Sequence, residues 1–259
     1  MKNRIIARLD IKKNKLIKGV HLEGLRVVGD PIQKALEYYN DGADELLLVD
    51  AVASLYRRNN LIDVVKSICK DIFIPITIGG GIRCLENARD LFEAGADKVA
   101  VNTAAVSRPE LISEISGRFG KQAVIASIQV KRNHGDIPSW VVMTDNGRET
   151  TNLVLIDWIK KVQDLGAGEI LLTSIDQEGT GDGYDLDLLE KVESITSVPI
   201  QISGGFSISE HAELVFERGA QGSVIAQALH YQKTSIRQIK KDLYSRGLII
   251  RAAEPLITN

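Results

Sequence analysis

Polar side chains stand at the end of several short apolar runs in this sequence. Asp10 ends the first run, Asp50 the second and Gln129 the fifth. A carboxylate placed there can donate or accept a proton, and an amide can orient a ligand. An aspartate at a strand end can instead cap the next helix, but the segment 12–15 after Asp10 reads as a loop. Further polar residues at such ends are Asn102, Thr103, Thr173, Ser174 and Asp176.

Two glycine clusters indicate anion binding. Gly79–Gly81 follows the third apolar run and Ser203–Gly205 follows the seventh. Glycine allows positive φ and lets backbone N–H groups approach a ligand closely. Two clusters half a chain apart suggest a substrate with two phosphates or other anionic ends. The alternative is a pair of tight turns that bind nothing.

Four charged residues begin apolar runs: Arg4, Glu45, Lys98 and Glu169. Strand alternation puts Arg4 on the same face as Asp10, at the opposite end. Buried charges are costly unless they are paired, so two cations and two anions predict one paired ring. A solvated rim without a role is the alternative.

The elements that must position these residues are short strands alternating with amphipathic helices. Helical patterns cover Pro31–Asp41, Asn60–Cys69, Cys84–Ala94 and Asn152–Leu165. This alternation predicts a parallel sheet covered by helices. Eight units in 259 residues predict an α/β protein with a single (β/α)8 TIM barrel. The predicted strands are Ile5–Ile11, Glu45–Val49, Ile74–Ile78, Lys98–Asn102, Ala123–Ile128, Glu169–Thr173, Pro199–Ile202 and Gly222–Ala226.

One domain is expected over 1–259, with a small hairpin inserted at about 131–148. Polar and turn residues there flank Trp140–Met143. After Ser235 the sequence predicts a last helix over the barrel.

The sequence also repeats itself at an offset of 124 residues. Gly42-Ala43-Asp44 matches Gly166-Ala167-Gly168, Gly79–Gly81 matches Ser203–Gly205, and Gly95-Ala96-Asp97 matches Gly219-Ala220-Gln221. Three matches at one offset predict a two-fold repeat of half-barrels. Gly-Ala before a strand is also common loop chemistry, which is the simpler alternative.

Composition excludes several classes of protein. With 32 Lys+Arg against 34 Asp+Glu, the net charge is −2, which argues against nucleic acid or an anionic membrane as the main partner. No apolar run reaches the length of a membrane span, and the charged start does not look like a signal peptide. Two cysteines and four scattered histidines predict a cytoplasmic protein with no disulfide framework, no metal and no cofactor.

Taken together, these motifs resemble the cyclase subunit family of imidazole glycerol phosphate synthase, a histidine-biosynthesis enzyme. The resemblance runs from Arg4 to about Tyr231 and includes Lys18-Gly19-Val20 and Asp182–Leu186. It implies a barrel that docks a glutaminase subunit at its N-terminal face. Ammonia would pass a gate of Arg4, Glu45, Lys98 and Glu169 to a phosphorylated substrate. The substrate and phosphate contacts that it implies are Lys18, Asp50, Gly80, Gly81, Asn102, Thr103, Thr173, Asp176, Gly204, Gly205, Ala226 and Gln227.

At the reaction end the sequence departs from the family. The family uses two aspartates; the first matches Asp10, but the second falls on Gln129. An amide cannot titrate near neutral pH, and losing a positioned acid or base costs roughly 10²–10⁴-fold in rate. Arg8 replaces a small apolar residue and is expected to pair with Asp10, weakening it as an acid. Gln227 replaces a small residue beside a phosphate and is expected to reshape that site.

These departures favour a paralogue that serves acetamidino-sugar synthesis for surface polysaccharides, in which a sugar-modifying third protein receives the ammonia. The segment from Arg4 to Arg26 also resembles that branch. A non-catalytic ammonia conduit, docking a glutaminase to a third protein, is the alternative. A phosphate-sugar isomerase of the related half-barrel family is disfavoured, because it also relies on paired aspartates and has no use for the gate.

Overall fold

Eight parallel strands close into a barrel. The structure is a computed structural model that describes residues 3–53, 61–133, 135 and 138–253. The barrel strands are β1 (Arg4–Lys12), β4 (Glu45–Asp50), β5 (Ile76–Gly79), β6 (Lys98–Val101), β7 (Val124–Asn133), β10 (Glu169–Ser174), β11 (Ile200–Ser203) and β12 (Gly222–Ile225). They pair in this order, and β12 returns to β1. The predicted TIM barrel is confirmed.

Helices surround the barrel. They are α1 (Pro31–Asn40), α2 (Ile62–Ile68), α3 (Leu85–Glu93), α4 (Thr103–Ser107), α5 (Glu110–Phe119), α6 (Leu155–Asp164), α7 (Leu186–Glu193), α8 (Ser209–Glu217), α9 (Gln227–His230) and α10 (Ile236–Ser245). Asn60, where the second helix was predicted to begin, lies outside the described residues. In α6 the buried residues Leu155, Trp158, Ile159 and Val162 follow the helical period, which gives one face to the strands. None of the helices in the described ranges has the length and hydropathy needed to cross a membrane.

The barrel interior is layered. An apolar layer of Ile6, Leu47, Ala100, Ile125, Leu171 and Val224 fills its middle. Because side chains alternate along each strand, residues two positions earlier form the lower layer and residues two positions later form the upper layer. Both of these layers are mainly polar. Each end of the barrel interior therefore carries polar and charged side chains, and the middle is apolar.

The 124-residue repeat has a physical cause in the loops before the strands. The side chains of Asp97 and Gln221 accept hydrogen bonds from the backbone N–H groups of Ile76 and Ile200, at 2.8 and 2.7 Å. Each bond ties a loop to the start of the neighbouring strand. Asp44 makes the same bond to Ile5, at 2.8 Å. The simple loop chemistry and the half-barrel repeat are therefore both present.

Several predicted boundaries were wrong. The third and seventh barrel strands begin at Ile76 and Ile200, after Pro75 and Pro199, because proline has no N–H to donate to the ladder. Helix α6 begins at Leu155, and not at Asn152, because the strand before it continues to Val154.

Two hairpins extend the upper end of the barrel, where the strands have their carboxyl ends. The first, β2 (Lys15–Val20) with β3 (Glu23–Gly29), was not predicted and begins at the end of the 12–15 segment that was expected to be a loop. The second, β8 (Ser139–Thr144) with β9 (Glu149–Val154), continues β7. It starts within the predicted 131–148 insertion, of which residues 134, 136 and 137 lie outside the described ranges, and ends six residues beyond it.

Candidate functional site

Four charged side chains form a ring across the lower end of the barrel. Arg4 bonds Glu45 at 2.5 Å and Glu169 at 2.7 Å. Lys98 bonds the same two carboxylates, at 3.1 and 2.6 Å. The structure thus brings together all four residues that the sequence singled out at strand starts. We call these four residues the charged ring.

Two members of the charged ring, Arg4 and Glu169, are held in their ionised forms. Burial alone would raise the pKa of Glu169, but the bonds and charges of Arg4 and Lys98 outweigh it and hold that pKa below its usual range. Burial likewise opposes the charge on Arg4, and the two glutamates more than compensate, so the pKa of Arg4 is raised. Gln201 adds a hydrogen bond to Glu169 at 2.9 Å.

Two buried polar atoms without partners lie on either side of the apolar layer. Among the described residues, Thr77 Oγ1 and Gln129 Oε1 are buried and make no hydrogen bond. Thr77 pairs in register with Lys98 at the lower end, and Gln129 lies on β7 at the upper end. A buried polar atom without a partner is costly, and each of these two oxygens can accept a hydrogen bond.

A cleft of about 180 Å³ opens at the upper end of the barrel, beside the first glycine cluster. The predicted site residues that line it are Asp50, Gly80, Gly81, Asn102, Thr103 and Gln129. We call this space the upper cleft. Gly80 and Gly81 have φ of +90° and +75°, and a Cβ on Gly80 would collide with the carbonyl oxygen of Asp50. Glycine is required at Gly80 for close packing of the backbone.

Asp50 is the carboxyl group of β4 that faces this cleft. Burial raises its pKa, and hydrogen bonds from the backbone N–H groups of Val52 and Ala53 oppose the rise only in part. A buried carboxyl group with a raised pKa in a cleft is a candidate for proton transfer. Gln129, in the same cleft, offers an amide that cannot do so.

Asp10 does not line the upper cleft. It is buried and bonded to Arg8, whose Nε lies 2.9 Å from Asp10 Oδ1. The guanidinium also donates to Ser203 Oγ at 3.2 Å. Burial opposes the charge on Arg8, but Asp10 and Glu178 outweigh it and raise the pKa of Arg8. The ion pair expected from strand alternation is therefore present.

Lys18 makes a second buried ion pair with Glu178. The carboxylate sits in the loop after β10, and its pKa is lowered because Lys18 and Arg8 outweigh the effect of burial. The backbone N–H of His21 donates to the Glu178 carbonyl at 2.7 Å, so the first hairpin is fixed to that loop. Sequence reasoning missed Glu178.

The second glycine cluster lines a much smaller space. Gly204, Gly205, Ala226, Gln227 and Glu178 surround a cavity of about 10 Å³, which is room for about one water molecule. Gln227 also lines an open cleft of about 470 Å³ with Lys18 and Tyr231. Gln227 therefore stands between the second glycine cluster and the open cleft.

Thr173 and Asp176 do not line the upper cleft. Thr173 is buried at the end of β10, in register with Gln129. One carboxylate oxygen of Asp176 accepts a hydrogen bond from the backbone N–H of Arg132, in β7, at 2.6 Å.

Residues of the second hairpin complete the cleft, although they were not expected there. Asp145 and Asn146 line it, with φ of +49° and +57° in the turn. Thr103 Oγ1 accepts the backbone N–H of Asp145 at 3.0 Å, which fixes the turn against the cleft. The Asp145-Asn146-Gly147 sequence is a turn signal, but only the length of the hairpin brings it to the site. Ser127 and Arg83 also line the cleft.

A closed (β/α)8 barrel with a charged ring at one end and a glycine-lined cleft at the other belongs to the class of barrels that work at the carboxyl ends of their strands. The chain belongs to the histidine biosynthesis protein family, whose model matches residues 4–235. The family expected from the motifs is confirmed.

Within this family, the chain is similar to subunits named imidazole glycerol phosphate synthase subunit HisF. It is 58% identical over 202 residues to that of Legionella pneumophila, which covers 78% of this chain and 94% of the relative. It is 44% identical over 252 residues to that of Prochlorococcus marinus, with 97% of this chain and 98% of the relative covered. The similarity to Streptococcus sanguinis HisF is 41% over 252 residues, with 97% and 99% covered.

Proposed function

We propose that this chain is the synthase (cyclase) subunit of a glutamine amidotransferase pair. It receives ammonia from a glutaminase subunit at the lower end of the barrel and delivers it to a phosphorylated substrate at the upper end. The observation that carries the proposal is the charged ring, in which each of the two cations bonds both carboxylates. The names of the relatives support the cyclase role.

The interior supports a path for a small neutral molecule. Ammonia entering at the lower end must separate one ion pair of the ring, for example Lys98 from Glu45, the longer pair of that lysine at 3.1 Å. Thr77 Oγ1 can then accept a hydrogen bond from ammonia beside the ring, and Gln129 Oε1 can do so above the apolar layer. Ammonium would be stopped at the apolar layer, because a charge is costly there.

In the proposed reaction, the upper cleft binds the substrate. Gly80, Gly81, Asn102 and Thr103 hold its anionic end, and Asp50 supplies the protonatable carboxyl group of the cleft. Asp10, which is paired with Arg8 beneath the cleft, is proposed as the second carboxylate. No metal or resident cofactor takes part in this scheme, and a cytoplasmic location is proposed with it, where Cys69 and Cys84 remain free thiols.

A second candidate within the same class is the paralogue that serves acetamidino-sugar synthesis. Gln129 favours it, because the cleft offers an amide where the histidine-pathway reaction uses a carboxylate. The pairing of Asp10 with Arg8 favours it for the same reason. In this case a third, sugar-modifying protein receives the ammonia or supplies the acceptor.

Turnover of the histidine-pathway ribonucleotide, with ammonium salt as the nitrogen source, tests the proposal. The unaltered chain and the Gln129→Asp variant are assayed side by side, so that no partner is needed. Turnover by the unaltered chain assigns it to the histidine pathway. Turnover by the variant alone, with a gain of roughly 10²-fold or more, assigns it to the paralogue branch.

The activity of the Asp10→Asn variant in complex with a glutaminase distinguishes the proposed synthase from a conduit that does no chemistry. A pure conduit keeps full activity, whereas the proposed synthase loses it. Failure of the unaltered chain to bind any glutaminase subunit, together with no use of ammonium, would contradict the proposed pair.

A further inference from the structure

The four residues of the charged ring are unevenly spaced around the barrel. Arg4 and Glu45 lie on neighbouring strands. One strand separates Glu45 from Lys98, and one separates Lys98 from Glu169. Between Glu169 and Arg4 there are two strands, β11 and β12. This widest gap is filled by Gln201 of β11, a polar side chain that is 1% exposed.

Gln201 has room beside the charged ring because the next strand carries a glycine at this level. Gln201 pairs in register with Gly222 of β12, which pairs in turn with Arg4. A Cβ on Gly222 would lie 3.0 Å from Gln201 Cγ and 2.9 Å from Ile6 Cδ1. A larger residue at position 222 would therefore crowd the glutamine, so the two residues fill the gap together.

The two carboxylates of the charged ring are held unequally. Lys98 donates to Oε1 of Glu169 at 2.6 Å. Arg4 and Gln201 both donate to the Oε2 of that carboxylate, at 2.7 and 2.9 Å. Among the described residues, the side chain of Glu45 accepts only from Arg4, at 2.5 Å, and from Lys98, at 3.1 and 3.2 Å. Three residues therefore hold Glu169, and two hold Glu45.

Thr77 occupies the position that matches Gln201 in the other half of the barrel. It precedes Gln201 by 124 residues, the offset of the repeat. It lies on β5, between the strands of Glu45 and Lys98, and pairs in register with Lys98. Its buried Oγ1 makes no hydrogen bond. One half-barrel thus supplies a donor that ties a ring carboxylate, and the other supplies none.

We propose that Gln201 is a positioning residue of the charged ring. It fixes Glu169, so that the ring opens between Lys98 and Glu45, beside Thr77. Opening there separates Lys98 from its longer contacts, whereas opening on the other side would break the 2.6 Å bond to Glu169. This inference rests on the proposed function, because it specifies where ammonia passes the ring and why Thr77 Oγ1 is the first acceptor that it meets.

Carbon NMR of the full chain, with isotopically labelled glutamate, tests this inference. The carboxyl-carbon shift of Glu169 is followed against pH, and relaxation gives side-chain order parameters for Glu169 and Glu45. In the unaltered chain Glu169 should have the higher order parameter of the two. The Gln201→Met variant keeps the length of the side chain and removes the donor. In this variant the pKa of Glu169 should rise by about one pH unit, and its order parameter should fall to that of Glu45.

The Thr77→Val variant is the matched control, because it changes the equivalent position of the other half-barrel and removes a hydroxyl that bonds nothing. It should leave the pKa of Glu169 and both order parameters unchanged. The Gln201→Asn variant, whose amide is one methylene shorter, should behave as Gln201→Met does. A backbone amide spectrum shows that each variant is folded.

An equal or higher order parameter for Glu45 in the unaltered chain would overturn the inference. An unchanged pKa of Glu169 in both Gln201 variants would also overturn it. The NMR measurements use no glutaminase, ammonia or substrate, so failure of the proposed reaction would be seen separately in the turnover assay.

Discussion

His230 is a buried histidine whose surroundings keep it neutral. Its Nδ1 lies 2.6 Å from Tyr38 Oη, and its Nε2 has no hydrogen-bond partner in the described structure. Burial lowers its pKa from 6.5 to about 4. The charged groups that influence it are Asp10, Lys18, Lys34 and Glu178.

The lowered pKa of His230 predicts a loss of stability in acid. Between pH 6.5 and 4 the unfolded chain binds a proton at this residue that the folded chain does not bind. The contribution of His230 is therefore complete above pH 6.5 and is lost as the pH falls towards 4. A change in pKa of this size corresponds to about 3 kcal/mol in the free energy of unfolding.

Urea unfolding at pH 7 and pH 4.5 measures this loss. The His230→Gln variant, which keeps a hydrogen-bonding group for Tyr38, should lose less stability between the two pH values by most of that amount. The same pH dependence in both proteins would show that other groups are responsible.

At the level of residues, the sequence predicted which charged side chains form ion pairs better than it predicted which side chains line the upper cleft. Alternation along β1 placed Arg8 beside Asp10, and strand starts placed the four members of the charged ring together. Neither pattern could show that Asp10 would be turned away from the cleft that Asp50 and Gln129 share. Asp10 is held by Arg8, and Arg8 is held in turn by Ser203, which is distant in sequence.

At the scale of elements, Asp185 joins three segments. Its carboxylate caps α7 by accepting the N–H of Leu188 at 3.1 Å. It also accepts Trp140 Nε1–H at 2.9 Å and an Arg132 N–H at 2.6 Å. The second hairpin, β7 and the start of α7 are therefore held by one side chain.

We expect the Asp185→Ala substitution to cost about 3 kcal/mol in the free energy of unfolding. Loss of a helix cap alone costs about 1 kcal/mol, and the remainder comes from the buried Trp140 donor, which would be left unsatisfied, and from the lost ion pair with Arg132. Asp30→Ala is the matched control, because Asp30 only caps α1, at 3.0 Å from the N–H groups of Ile32 and Gln33. Equal losses in urea unfolding would mean that the bonds of Asp185 to the hairpin contribute nothing.

The barrel strands and five of the ten helices named above were predictable, because strands and helices have different periodicities. The first hairpin was missed because its strands contain charged residues and glycines, and because β3 has no fully buried residue. It is positioned instead by tertiary contacts, such as that of His21 with Glu178. Such contacts leave no local signal in the sequence.

At the scale of the whole molecule, the two ends of the barrel differ in what they expose. The upper end carries the clefts and both hairpins, and the lower end carries the charged ring. Phe73, before β5, and Ile249, after α10, are 79% and 71% exposed. Ile249 lies at the lower end, since its carbonyl accepts the N–H of Asn3 at 3.3 Å. That residues 1–259 form one domain stays a prediction.

Phe73 and Ile249 are expected to anchor the glutaminase subunit at the lower end. Apolar side chains that become buried at an interface contribute binding energy. The Phe73→Ser/Ile249→Ser double variant should weaken binding of the glutaminase subunit from the same organism by at least about tenfold. Its melting temperature should not change, because both side chains are exposed. Val27→Ser alters a side chain that is 65% exposed on β3 at the upper end, and it should leave the affinity unchanged. An equal loss in both proteins, or no loss in the double variant, would place the glutaminase elsewhere on the barrel.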